Sequence, residues 1–174
     1  MRLQLALIAG LVWPGIAAAQ DGGAPVIPFS ENDSVMNAAI ADARASLPLF
    51  LANTLAEDGS GPDGGYLKVD FPVDADDLTA EVIWVGPFLA LDAENYVGLL
   101  ANAPVHMEGL ALYDRVSFTH DMIVDWSLQS DTGQRYGDYT TRVIMRQLPT
   151  EESAPYVGMF MEPAYPVDWA TPTQ

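Results

Sequence analysis

The sequence predicts an α+β domain: an N-terminal helix, kinked near Pro48, packed on a curled antiparallel meander sheet, with a second short helix near residues 138–148. Three observations predict it. Apolar residues recur at three- and four-residue steps from Met36 to Leu55, the step shortens to two from Tyr66 onward, and helix-compatible spacing returns between Tyr139 and Leu148. The chain of 174 residues has no cysteine, so one core of ordinary apolar packing has to hold the domain together.

The first nineteen residues, MRLQLALIAGLVWPGIAAA, carry one early cation (Arg2), an apolar run from Leu3 to Trp13, the helix breaker Pro14, and small residues at Ala17 and Ala19. That is the pattern of a signal peptide cut after Ala19. The apolar run is shorter than the roughly 20 residues a bilayer span needs. The expectation is therefore an exported, soluble protein of the periplasm or extracellular space, with no membrane insertion after cleavage. Residues 20–32, QDGGAPVIPFSEN, have little pattern and read as a flexible leader.

The domain itself is expected over residues 33–150. Asp33 or Ser34 supplies an N-cap ahead of Met36, Ala39, Ile40, Ala43, Leu47, Phe50, Leu51 and Leu55, which line one helical face. Pro48 removes a backbone donor and crowds the preceding turn, which predicts a kink or two short helices meeting near Leu47. After the breaker EDGSGPDGG at 57–65, Leu67, Val69 and Phe71 alternate with Tyr66, Lys68 and Asp70, as in a half-buried strand. Pro72 and the acidic run from Asp74 to Asp77 predict a turn. Strands then follow near Ala80 to Trp84, Tyr96 to Ala101, Arg115 to Thr119 and Ile123 to Leu128, a succession that predicts a meander with the helix over its apolar face.

In YGDYTTRVIMRQLP, residues 136–149, Tyr139, Val143, Ile144 and Leu148 fit a helix, although Thr140, Thr141 and Val143 would also suit a strand. Asp138 as N-cap and Pro149 as stop favour the helix. The tail, residues 151–174, is rich in proline but also holds Tyr156, Phe160, Tyr165 and Trp169. A solvated linker would be poorer in aromatics, so the tail is expected to lie across the domain or to meet a partner.

Taken in order, MNAAIADARASLPLFL, GYLKVDFP, EVIWVG, GLLANAPVHMEGLALYDRVSF, IVDWSL and YGDYTTRVIMRQLP resemble the YegJ-like bacterial domain of unknown function (DUF 2314) over roughly residues 33–150. The resemblance implies an α+β architecture, often exported or fused to other modules, and no particular activity. One departure is Tyr113, where the family usually shows glycine.

Seven Lys and Arg face 24 Asp and Glu, a formal net charge of −17, and loss of a leader containing Arg2 would make it more negative still. Such a charge repels nucleic acid and anionic lipid, and attracts cations and basic proteins. Catalytic strings are sparse. Asp131-Thr132-Gly133 matches an aspartic-protease tripeptide, but the second carboxylate such chemistry needs is missing and the string suits a turn. His106 and His120 are the two histidines; no GxSxG elbow accompanies them, and each lies near a methionine without enough ligands for a copper or zinc cage. The acidic loops lack the alternating ligand pattern of a calcium site. No cofactor, metal site or catalytic residue is assigned.

The polar residues that stand out are Asp125, Trp126, Asp138, Arg142 and Arg146. On a helix Arg142 and Arg146 share a face, where they could hold a carboxylate or phosphate ligand. In so acidic a chain the favoured reading is a structural one: Arg142 partly buried against Asp125, with Trp126 beside it, tying the second helix to the sheet. The function expected is that of a non-enzymatic binding or interaction protein of the cell envelope, with an unknown protein or small molecule as partner, and in a narrower version an immunity-like inhibitor. The alternative is a small envelope hydrolase using His120 with a carboxylate partner.

Overall fold

The structure, a computed structural model, describes residues 4–8, 26–30, 33–75 and 78–169. The expected cleavage after Ala19 lies outside the described residues. Helix α1 spans Ser34–Thr54. The Asp33 carboxylate caps it, accepting from the Val35 and Met36 amides at 3.0 and 3.1 Å. At the other end the Asn53 amide and the Thr54 hydroxyl donate to the carbonyls of Leu49 and Phe50, each at 2.8 Å. Pro48 does not divide the helix in two. Proline removes one backbone bond, but Leu47 and Phe50 on either side of it are both buried, so tertiary packing carries the helix through.

Eight strands make one sheet among the described residues: β1 (Gln4–Ile8), β2 (Val26–Ser30), β3 (Gly65–Ala75), β4 (Leu78–Ala90), β5 (Asn95–Leu100), β6 (Arg115–Thr119), β7 (Ile123–Gln129) and β8 (Arg135–Gly137). From β3 to β6 the chain is the expected antiparallel meander. The meander then stops, because β7 pairs with β3 rather than with β6. Two further differences concern the edges of the pattern. Strand β3 runs through Pro72, where a turn was expected, with its register on β4 shifting between Pro72 and Ala75. Strands β1 and β2 occupy segments read as signal peptide and flexible leader, β1 parallel to β4 and β2 antiparallel to β1. Strand β1 thus lies between β4 and β2, and β2 is the edge.

The curl follows from chain length. Strands β6 and β7 are four inter-strand steps apart in the order β6-β5-β4-β3-β7, about 19 Å in a flat sheet. The three-residue 3-10 turn His120–Met122 that joins them reaches at most about 14 Å between Thr119 and Ile123. The sheet must bend, and Phe71 of β3 meets Phe118 of β6 edge-on at 6.3 Å. Inside the curl Leu47 and Phe50 of α1 join Leu67, Val69, Ile83, Val85 and Trp126 in the main core.

Helix α2 spans Tyr139–Gln147, as its caps favoured, followed by the short helix α3 (Thr150–Ser153). The turn into α2 places Gly137 and Asp138 at φ of 70° and 55°. Only glycine fits the first position, since a Cβ there would lie 2.1 Å from the Trp126 carbonyl oxygen. The tail then lies across the domain. The Arg135 amide donates to Met159 O and the Met161 amide to Arg135 O, both at 2.8 Å, and the Trp169 ring sits 5.7 Å from Trp126 and 6.2 Å from Phe50.

Candidate functional site

The densest polar cluster lies where α2 begins. In the β3 ladders Lys68 stands directly opposite Trp84 on one side and Asp125 on the other, so the three side chains share a face. The Lys68 ammonium lies 4.9 Å from the centre of the Trp84 ring and donates to the Thr140 hydroxyl at 3.1 Å. Thr140 in turn donates to Asp125 Oδ2 at 2.6 Å. Asp125 also accepts from the amides of Trp126 (2.8 Å), Tyr139 (3.2 Å) and Thr140 (2.8 Å). It therefore caps α2 from the sheet, where anionic charge is favoured. The expected cap, Asp138, occupies the N-cap position but turns its carboxylate to the Ser127 hydroxyl and to Arg135 Nε, the latter at 3.0 Å.

Electrostatics follow burial. Lys68 and Asp125 are 0 % and 1 % exposed. Burial pushes the Asp125 carboxyl up to about 6, with Asp138 adding to the rise and Lys68 and Thr140 opposing it. Burial likewise pulls the Lys68 ammonium down to about 8 against the attraction of Asp125 and Asp138. Such values would suit acid–base work, but both groups are closed to solvent, and neither the cleft beside Arg142 and Arg146 nor the one beside Tyr139 and Tyr165 is lined by them. The cluster positions a helix.

Arg142 is buried, but its partner is not Asp125. Its Nε donates to Gly137 O at 2.7 Å, one terminal nitrogen to Met161 O at 2.9 Å and the other to Glu162 Oε1 at 2.8 Å, while its guanidinium lies 4.8 Å from the Phe160 ring centre. It fastens the tail to the start of α2. Asp125 is reserved for the helix amides because it lies beneath the first turn, whereas Arg142 points outward to where the tail crosses. Trp126 belongs to the main core, stacked on Phe50 at 4.7 Å with its indole N–H donating to Ser46 Oγ at 2.9 Å. Arg146 is exposed and lines a cleft of about 330 Å³ with Arg142, Tyr156, Phe160 and Glu162. Asp125, Trp126, Asp138 and Arg142 thus gather around one turn of chain, and Arg146 stays outside.

Lys68 escaped the sequence reading because strand alternation assigns it to a solvated face. It is the only lysine in the sequence, a signal that could have marked it. The histidines sit apart from the cluster. His120 begins the 3-10 turn, its Nδ1 3.3 Å from the Tyr96 hydroxyl, while its neighbour Asp121 takes the Thr119 hydroxyl instead. The His106 amide donates to the buried Glu81 carboxylate at 2.8 Å. Asp131-Thr132-Gly133 forms the turn between β7 and β8, closed by the Ser130 amide on Gln134 O at 2.8 Å.

No curated protein and no solved structure matches the chain. A family profile does, over residues 33–159, from the cap of α1 to the strand-like crossing of the tail. The helix, the curled sheet and the Asp125 turn all lie within that match, and the chain belongs to the family described as an uncharacterized protein conserved in bacteria (DUF2314).

Proposed function

We propose that this is an exported, non-enzymatic binding protein of the cell envelope that meets a basic protein partner through the loop between β5 and β6. The observation that carries this reading is the loop's combination of order and exposed apolar surface. Val105, Leu110, Leu112 and Tyr113 are 59, 36, 40 and 65 % exposed. Yet their backbone is held: Val105 and His106 amides donate to Glu81 at 2.7 and 2.8 Å, Ala111 to Asp114 Oδ2 at 2.8 Å, and Tyr113 to Leu100 O at 2.9 Å. Fixing a loop without burying its large side chains costs entropy that a partner's surface would offset.

Tyr113 strengthens the reading. Its φ of 71° is the left-handed conformation that glycine adopts freely and that costs other residues about 1–2 kcal/mol. Here a tyrosine holds that position with its ring in solvent. A net charge of −17 would draw a basic partner and speed encounter, as an immunity-like inhibitor requires, and disfavours self-association.

The test is a replacement that relieves strain while removing contact surface. Tyr113→Gly combined with Leu112→Ser should leave the melting temperature unchanged or raised, and should abolish capture of envelope proteins that wild type retains. Capture of the same proteins by both would exclude the loop as the contact. Export is checked separately, by N-terminal sequencing that should start at Gln20, in which case the mature sheet lacks β1 and its pairing with β4.

A further inference from the structure

We infer that the cleft between α1 and the C-terminal tail is a binding site for a small organic cation carrying an alkylammonium head. The cleft measures about 510 Å³, and Asp42, Tyr139 and Tyr165 line it together with Ala45, Pro48 and Leu49. This inference does not depend on the β5–β6 loop, since it concerns a different surface and a ligand of different size.

The chemistry of the lining selects the ligand. Asp42 is the one lining residue with a charged side chain, and it is exposed at the helix surface. Two tyrosine rings offer π faces, to which ammonium groups are attracted, and Pro48 and Leu49 offer apolar contact for the methyl or methylene groups such cations carry. No Lys or Arg lines the cleft, in contrast to the smaller one around Arg142 and Arg146. The surrounding field points the same way, because a chain with 24 carboxylates and seven cations concentrates positive ions at its surface.

The walls are also built to hold their shape. The Tyr139 ring packs edge-on against Trp126 at 6.1 Å, and Ser46 beside it in the lining accepts from Trp126 Nε1 at 2.9 Å and donates to Ala43 O at 3.0 Å. Burial pushes the Tyr139 hydroxyl above the usual phenol range, so it stays neutral. Tyr165 is positioned by the tail, which is pinned on both sides of it: Gly137 N donates to Ala164 O at 2.6 Å, and the Trp169 ring packs on Phe50 and Trp126. The site exists because the tail lies back on the domain.

Choline chloride, n-butylammonium chloride and 3,3-dimethyl-1-butanol, the neutral isostere of choline, are titrated into the isotopically labelled full chain and followed by NMR. At least one cation should shift Ala45, Ser46, Leu49 and the Tyr139 and Tyr165 rings, with saturation below about 50 mM, and bind about tenfold more tightly than the neutral isostere. Asp42→Asn and Tyr165→Leu, each with an unchanged melting temperature, should each weaken that binding about fivefold or more. Three results would overturn the assignment: neither cation saturates, the isostere binds equally well, or the shifts scatter over the acidic surface and survive Asp42→Asn. Failure here would leave the loop proposal intact, and loss of the loop proposal would leave this one.

Discussion

On one face of β3, Leu67, Val69 and Phe71 close into the apolar core with Leu47 and Phe50; on the other, Lys68 lies just as deeply buried between Trp84, Thr140 and Asp125. The apolar face needs only surface removed from water, and any well-filled arrangement would serve. The polar face is far more restrictive, because the buried Lys68 ammonium and Asp125 carboxylate are each held by specific partners. The first face supplies stability without direction, and the second decides where α2 starts.

The contrast can be broken most sharply at Asp125. Asp125→Ala strands the Lys68 ammonium and the amides of Tyr139 and Thr140, and should cost about 4 kcal/mol in urea unfolding. A loss below about 1 kcal/mol would show that water or another acceptor replaces the carboxylate. Leu67→Ala, its counterpart on the dry face, should cost about 3 kcal/mol without altering α2, judged by amide exchange at Tyr139 and Thr140.

Arg142→Ala should cost about 2 kcal/mol, chiefly through the carbonyls of Gly137 and Met161, because Glu162 is 75 % exposed at its side chain and contributes little. It should also speed proteolysis of the tail near Phe160; an unchanged cleavage rate would mean that the backbone bonds of Arg135 and Gly137 and the Trp169 ring suffice to anchor it. The smallest effect is expected when the polar face loses both charges together. Lys68→Met with Asp125→Asn should cost about 1 kcal/mol, far less than Asp125→Ala alone.

The same pair makes a prediction about pH. Asp125 has its carboxyl raised in the fold, so its contribution is present below its ordinary 3.8 and is lost as pH rises through about 6. Lys68 is depressed, so its contribution is present above its ordinary 10.5 and is lost as pH falls through about 8. Between about 6 and 8 both are charged and buried, and stability should show a local minimum there relative to the double variant, measured as the difference between their urea midpoints. A difference that is flat from pH 4 to about 10 would show that the pair titrates as it would in the unfolded chain.

Much of the fold was legible because burial leaves a period. The α1 face from Met36 to Phe50, the span Arg115–Thr119 and the cap-to-stop interval of α2 each appear in the structure where the pattern placed them. Strand order was not legible, since the meander continued onto β7 and β7 returning to β3 present the same alternation. The candidate cluster was half legible. Arg142 stood out as a rare cation, but Glu162 lies twenty residues further on, in a tail without periodicity. Lys68 was masked by the alternation that made β3 recognisable.

By itself, then, the sequence determined which faces of helix and strand would leave water, how acidic the surface would be, and that no disulfide would help, because these depend on residue type and local spacing alone. The tertiary structure decided which carboxylate meets which amide or cation, that the second face of β3 would also be covered, and that the tail would complete a cleft beside α1. Those outcomes depend on distances between groups far apart in the chain, and a local pattern carries no information about them.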